Sequence, residues 1–234
     1  MFRPKSCGPI LALAILSIVP SAASASSITV SGSSFHDTIP LPGVITTFHL
    51  GATENGSHQY IVDATIDYYG GWGTITFDAQ NFSDQDLTLT LNLTLPLDAM
   101  LYDAAYSSIA GNGTSSTGSF DVSKVPPATN VLVLQAGDPA ADLGVDVGAG
   151  CTVPSGVPSF LCGASSADAT FAPQSYDTLY VTLAFSMGGS NSPDYQANQL
   201  AWDAYFEVDP VPEPVSLSLI GGGLLAFALR RGRA

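Results

Sequence analysis

Positive charge is what this chain has least of. Six Lys and Arg stand against 20 Asp and Glu in 234 residues. Five of the six sit near the ends: Arg3, Lys5, Arg230, Arg231 and Arg233. Between Ser26 and Asp209, Lys124 alone faces nineteen carboxylates, a net of −18 with the histidines neutral. A surface of that sign repels phosphate backbones and anionic lipid, which excludes nucleic acid as a partner. It attracts divalent cations or cationic polymers, and it also serves simply to keep a domain soluble.

Cysteine is scarce as well. Of three, Cys7 lies in the first 25 residues, which leaves Cys151 and Cys162. Their spacing is not Cys-x-x-Cys and no histidine lies close by in sequence, which argues against a redox or metal pair. A disulfide closing CTVPSGVPSFLC is expected, and a loop of this size gains ~3 kcal/mol on the chain-entropy account.

Local catalytic signatures are also missing. There is no G-x-S-x-G elbow, and His36, His49 and His58 have no serine nucleophile marked out beside them. Asp63 and Asp67 share a strand face, but four residues of strand separate them by ~13 Å, too far for a retaining glycosidase pair. The exported glutamates are only Glu54 and Glu207. No catalytic residue is therefore assigned. Asp138, Asp142 and Asp146 recur every fourth position in a Gly-rich stretch. Hard oxygen ligands of this kind suit calcium, although the spacing is not that of an EF-hand. They are candidate calcium ligands; no other metal or cofactor is expected.

What the chain does have is period-two alternation. Leu87, Leu89, Leu91, Leu93, Leu95 and Leu97 fall on one face, with Thr88, Thr90, Asn92 and Thr94 on the other. That is a half-buried strand, because successive side chains point to opposite faces of a sheet. The same pattern marks Tyr60 to Tyr68, Ile75 to Ala79, Leu179 to Phe185 and Leu200 to Val208. Val44 to Leu50 and Val131 to Leu134 read as further strands. Gly70-Gly71 predicts a hairpin. Tyr68, Tyr69 and Trp72 flank it; exposed, such rings stack on sugars, and buried, they fill a core. Asp98 to Ala110 reads as a turn or two of helix, and Gly111 to Pro127 and Gln135 to Tyr176 as long loops. About eight strands in one domain, residues 26–209, predict an all-β fold, a single antiparallel β-sandwich of jelly-roll-like type.

Both ends carry address labels. Residues 1–25 read as a secretory signal peptide: Arg3 and Lys5, an apolar stretch from Ile10 to Val19, and an A-x-A site at Ala23-Ser24-Ala25. The last segment, residues 210–234, has three parts in order: Pro212-Glu213-Pro214, an uncharged run from Val215 to Leu229, and the arginines 230, 231 and 233. The prolines fix an extended backbone. The run makes ~22 Å of helix, a short transmembrane segment interrupted by Gly221-Gly222-Gly223. The arginines would hold its end on the cytoplasmic side.

This tail resembles a PEP-CTERM sorting signal. The resemblance implies recognition of Pro212, Glu213 and Pro214 by an exosortase, with Arg230, Arg231 and Arg233 as the membrane stop. It implies a Gram-negative host, transient anchoring in the inner membrane, and delivery to the cell surface or the exopolysaccharide matrix. Exopolysaccharide is then a candidate partner. The expected protein is an exported, non-enzymatic β-sandwich. The alternative is a carbohydrate-active enzyme or carbohydrate-binding module on the same scaffold.

Overall fold

The computed structural model describes residues 26–31, 36–41, 46–54, 57–98, 100–115, 118–126, 128, 130–137, 139–190 and 197–211. Fifteen strands run among them: β1 (Ser26–Ser31), β2 (His36–Leu41), β3 (Thr46–Glu54), β4 (Ser57–Tyr69), β5 (Trp72–Asn81), β6 (Leu87–Pro96), β7 (Leu101–Thr114), β8 (Phe120–Lys124), β9 (Leu132–Ala136), β10 (Ala141–Asp142), β11 (Cys151–Val153), β12 (Phe160–Leu161), β13 (Ser165–Ser175), β14 (Thr178–Met187) and β15 (Asn198–Pro210). They make two antiparallel sheets. The eight-stranded sheet runs β10-β9-β14-β6-β1-β2, with β8 also paired to β14 and β11 to β8. The seven-stranded sheet runs β12-β7-β15-β5-β4-β3, with β13 also paired to β7.

The alternation read from sequence sets the register. Leu87, Leu89, Leu91, Leu93 and Leu95 are all buried, and β6 pairs with β14 so that Leu91 faces Leu183 and Leu93 faces Val181. The threonines face out; Thr88 bonds Ser186 across 3.3 Å. Slipping either strand by one residue would put every leucine in water, which pins the pairing. Tyr69 and Trp72 pair across the Gly70-Gly71 turn, where Gly70 has φ of 62° and Gly71 of 153°. A two-residue hairpin needs such positive φ values, and glycine adopts them without a Cβ clash.

The sheets interlock through aromatic rings. Phe185 of the eight-stranded sheet packs edge-on against Phe77 and Trp202 of the other, with centroids 5.4 and 4.9 Å apart. Room for these rings comes from the strands beside them. Gly111 faces Trp202 in register, and a Cβ there would lie 2.0 Å from the indole Cδ1. Gly73 faces Phe206 in the same way, with 2.5 Å to Cζ. Close packing leaves no slack for a methyl at either place.

The expected disulfide is present. Cys151 and Cys162 are joined, with Cα atoms 5.4 Å apart. Cys151 opens β11 in one sheet, and Cys162 follows β12 in the other, where its N–H donates to Gly111 O at 2.8 Å. The bond therefore fastens sheet to sheet.

At the end of β15 that carries Asn198, buried polar groups close the core. Asn81 and Asn198 are register partners and both fully enclosed. Asn81 Nδ2 donates to Gln85 O at 2.8 Å, and its Oδ1 accepts from the N–H and hydroxyl of Ser83 at 3.0 and 2.8 Å. Asn198 Nδ2 donates to Gly188 O and Gly189 O at 3.1 and 2.8 Å. Two amides thus tie the β5–β6 turn and the end of β14 to the sheet.

Three expectations are corrected. Asp98 to Ala110 is not helical: from Leu101 it is β7, held between β15 and β13. Gly111 to Pro127 is not one open loop but the end of β7 followed by β8, and Gln135 to Tyr176 holds the end of β9 and all of β10 to β13. In β7 the inward Ala105, Ser107, Gly111 and Gly113 are small, with Trp202 and Val153 filling the space above the two glycines, so the hydrophobic alternation fades from the sequence. A register shift where Asp209 meets Ala104 and Pro210 meets Tyr102 also breaks the period-two phase. The expected signal peptide and the apolar run of the tail lie outside the described residues. Among the described residues no helix is long and apolar enough to cross a membrane.

Candidate functional site

Two features of the seven-stranded sheet bear on function: the way its central strand ends, and what its outer face carries beside that end. Strand β15 runs to Pro210, and Val211 N–H donates to Leu101 O at 2.7 Å. The next residue is Pro212. The chain thus passes from the middle of a sheet into the sorting segment within two residues. Pro212, Glu213, Pro214, Arg230, Arg231 and Arg233 all lie outside the described residues.

The outer face at this end is aromatic. The hairpin sets Tyr69 opposite Trp72. One strand on, Glu207 of β15 faces Trp72; next, Tyr106 of β7 faces Glu207, and Asp168 of β13 faces Tyr106. One row across five strands therefore reads Tyr69, Trp72, Glu207, Tyr106, Asp168. Tyr205 stands in the adjoining row and links the rings. Centroids are 4.8 Å apart for Tyr69–Trp72, 6.3 Å for Trp72–Tyr205 and 5.9 Å for Tyr205–Tyr106, and the first two pairs are tilted by only 30° and 28°. Tyr69 is 51% exposed and Trp72 40%, whereas Tyr68 is buried with its hydroxyl on Pro96 O at 2.6 Å. Of the three rings flanking the hairpin, two face solvent and one belongs to the core.

Carboxylates are set into this strip. Tyr205 Oη donates to Glu207 Oε2 at 2.5 Å. Partial burial, then this bond and the negative charges nearby, push the Tyr205 phenol up to about 12. It remains a neutral donor throughout the physiological range. Asp209 is held above the usual carboxylate range, first by burial, then by the charge of Glu207 and a hydrogen bond with it, and by Asp103. Glu207 and Asp209 are i, i+2 neighbours on the outward side of β15, so the charge of one bears on the other.

Further along the same face, His49 Nδ1 lies 2.5 Å from Asp63 Oδ1, both about half exposed. Asp63 directly faces Asp78 across β4 and β5. Burial, and then the charge of Asp63, raise Asp78 above the ordinary carboxylate value, while its contact with Gln80 opposes the shift. Asp67 shares the outward face with Asp63, as the alternation predicts, in the row of Thr74 and Tyr205. The side chains of His36, His58 and Glu54 lie outside the described residues.

The candidate calcium ligands are partly engaged elsewhere. Asp142 Oδ1 accepts from Gly144 N–H at 2.7 Å, and Asp146 Oδ1 from Leu134 N–H at 3.2 Å. Burial raises the carboxyl of Asp146; the Leu134 bond opposes this and Asp142 adds to it. Asp138 lies outside the described residues. Among the described residues no group of three or more His, Cys, Asp or Glu is placed to hold a metal.

Tyr106, Tyr205 and Glu207 were not singled out from the sequence. Their grouping depends on cross-strand register. The available signal was the outward series Asp203, Tyr205, Glu207, Asp209, alternating with the buried Trp202, Ala204, Phe206 and Val208.

Residues 210–233 fit the family model of the PEP-CTERM protein-sorting motif. No curated protein matches the chain.

Proposed function

We propose that this chain, which carries a PEP-CTERM protein-sorting motif at residues 210–233, is an exported, non-enzymatic β-sandwich that an exosortase sorts to the cell surface or the exopolysaccharide matrix. The observation that carries the reading is the motif match, with Pro212-Glu213-Pro214 set just beyond the last backbone bond of the domain. Each part of the tail has a task. Pro212 and Pro214 stiffen the backbone on either side of Glu213, giving an enzyme an extended handle with one charge. The apolar run from Val215 to Leu229 holds that handle at the inner membrane, and Arg230, Arg231 and Arg233 stop it from passing through. The domain arrives with the tail and stays folded when the tail is trimmed, since β15 is already paired on both flanks up to Pro210.

The alternative, a carbohydrate-active enzyme on this scaffold, would need two carboxyls set apart around a sugar. The test of sorting is replacement of Pro212, Glu213 and Pro214 by alanine in the native host. The expected result is a full-length protein retained in the inner membrane, while Leu224→Ile with Leu225→Ile is processed normally. Trimming of the triple-alanine protein to the wild-type mass, with or without an exosortase in the host, would overturn the reading.

A further inference from the structure

We propose that the outer strip formed by Tyr69, Trp72, Tyr205 and Tyr106 around Glu207 is a binding face for a polysaccharide bearing protonated amino groups, such as a de-N-acetylated hexosamine polymer. The inference names the ligand class for the matrix protein proposed above and rests on that reading for its setting.

Three observations carry it. First, the rings lie on a sheet surface and not in a pocket. They cross β4, β5, β15 and β7, three interstrand steps of ~4.8 Å each, giving a track ~14 Å long. Trp72 is tilted by only 30° and 28° from Tyr69 and Tyr205. Tyr106 is inclined at 54° to Tyr205; a file of partly exposed rings along one sheet face offers apolar contact to the C–H faces of successive sugar rings.

Second, the charge is of one sign. Glu207 sits in the row between Trp72 and Tyr106, Asp209 follows it on the same side of β15, Asp103 lies near Asp209, and Asp168 ends the row. An ammonium over Glu207 would meet a carboxylate beneath it and aromatic faces on both sides. Tryptophan and tyrosine attract cations through the ring quadrupole, and a carboxylate adds direct attraction. An anionic glycan would be repelled by the same groups.

Third, the polar groups of the strip are preset. The Tyr205 hydroxyl is spent on Glu207 at 2.5 Å, which orients a carboxylate with lone pairs enough to accept also from an ammonium or a sugar hydroxyl. That bond reduces the side-chain freedom that Tyr205 and Glu207 have to lose on binding.

The test uses the full-length chain in detergent and soluble chitosan as ligand. The chain has two tryptophans, Trp72 exposed and Trp202 buried, so ligand-induced change in emission reports on the strip. Wild type should show a saturable change and co-sediment with the polymer. Trp72→Ala should weaken co-sedimentation at least tenfold, and Glu207→Gln severalfold, with unchanged circular dichroism. Tyr180→Ala, on the outer face of the other sheet, should bind as wild type. Absence of wild-type binding, full binding by Trp72→Ala, or equal affinity for fully N-acetylated oligomers would overturn the proposal. So would polylysine binding of equal strength with the same dependence on Trp72, which would make the strip a peptide site. The assay needs no processing enzyme. Its failure therefore leaves the sorting result untouched, and loss of sorting leaves this binding intact.

Discussion

The indole Nε1–H of Trp202 donates to the backbone carbonyl of Cys162 across 3.2 Å. The largest ring of the core is thus bonded to one terminus of the disulfide that joins the sheets, and each reports on the state of the other. Cys151→Ser with Cys162→Ser should cost about 3 kcal/mol on the chain-entropy account. For a domain of this size that lowers Tm by roughly 6–12 °C. In a Trp72→Phe background the emission of Trp202 should shift to the red as water reaches the opened edge. A double mutant that melts with the parent and emits like it would show that the crosslink is idle.

A second expectation concerns the enclosed amide Asn198. Its Nδ2 serves the carbonyls of Gly188 and Gly189, and its Oδ1 accepts from Ser115 Oγ. Asn198→Ala takes this donor from the Gly189 carbonyl in a dry site, while Gly188 O keeps Asn81 Nδ2 and Ser115 Oγ keeps Gly118 O. Urea denaturation should give a loss of roughly 1–3 kcal/mol at unchanged m-value. Gln199→Ala, the exposed neighbour, is the control and should change little.

The facing carboxylates Asp63 and Asp78 set a third expectation. Asp78 has a folded value above its unfolded one. Such a group penalises the fold while charged: the penalty is complete above the folded value, and disappears as pH falls through it toward the unfolded value. Asp78→Asn should therefore stabilise at neutral pH, by roughly 0.5 kcal/mol given like charges directly opposed in a partly exposed pair. The Tm difference from wild type should shrink to nothing in acid. A constant difference at every pH would assign the effect to packing.

Calcium provides a fourth. Asp142 and Asp146 each commit one oxygen to a backbone N–H. Calcium and magnesium at equal ionic strength are expected to raise Tm equally, through screening of the acidic surface. A calcium shift well beyond that of magnesium, lost in Asp146→Ala, would mean that these carboxylates form a site after all.

The parts of this fold that were legible from sequence are those where burial alone chose the residues. The six alternating leucines from Leu87 to Leu97 all came out buried, and Gly70-Gly71 came out as a hairpin. Strands β7 and β13 were not legible. In β7 the inward Gly111 and Gly113 are small enough to admit Trp202 and Val153, and so they read as loop. β13 is only lightly covered, with Ala167, Ala169 and Phe171 half-buried against the core. The site divides the same way. The sorting tail is a local string and could be read directly, and Tyr69 and Trp72 were visible beside their turn. The strip was not, because Tyr106 and Glu207 are about a hundred residues apart and meet only through register.

Finally, the exit of the chain through β15 has a mechanical consequence. Ten register pairs hold β15 to β5 and twelve hold it to β7, all antiparallel. A tug on the tail at Val211 along the strand axis is met in shear, with both ladders loaded at once and not opened one rung at a time. A membrane enzyme that grips the tail can thus haul on the domain without unravelling it.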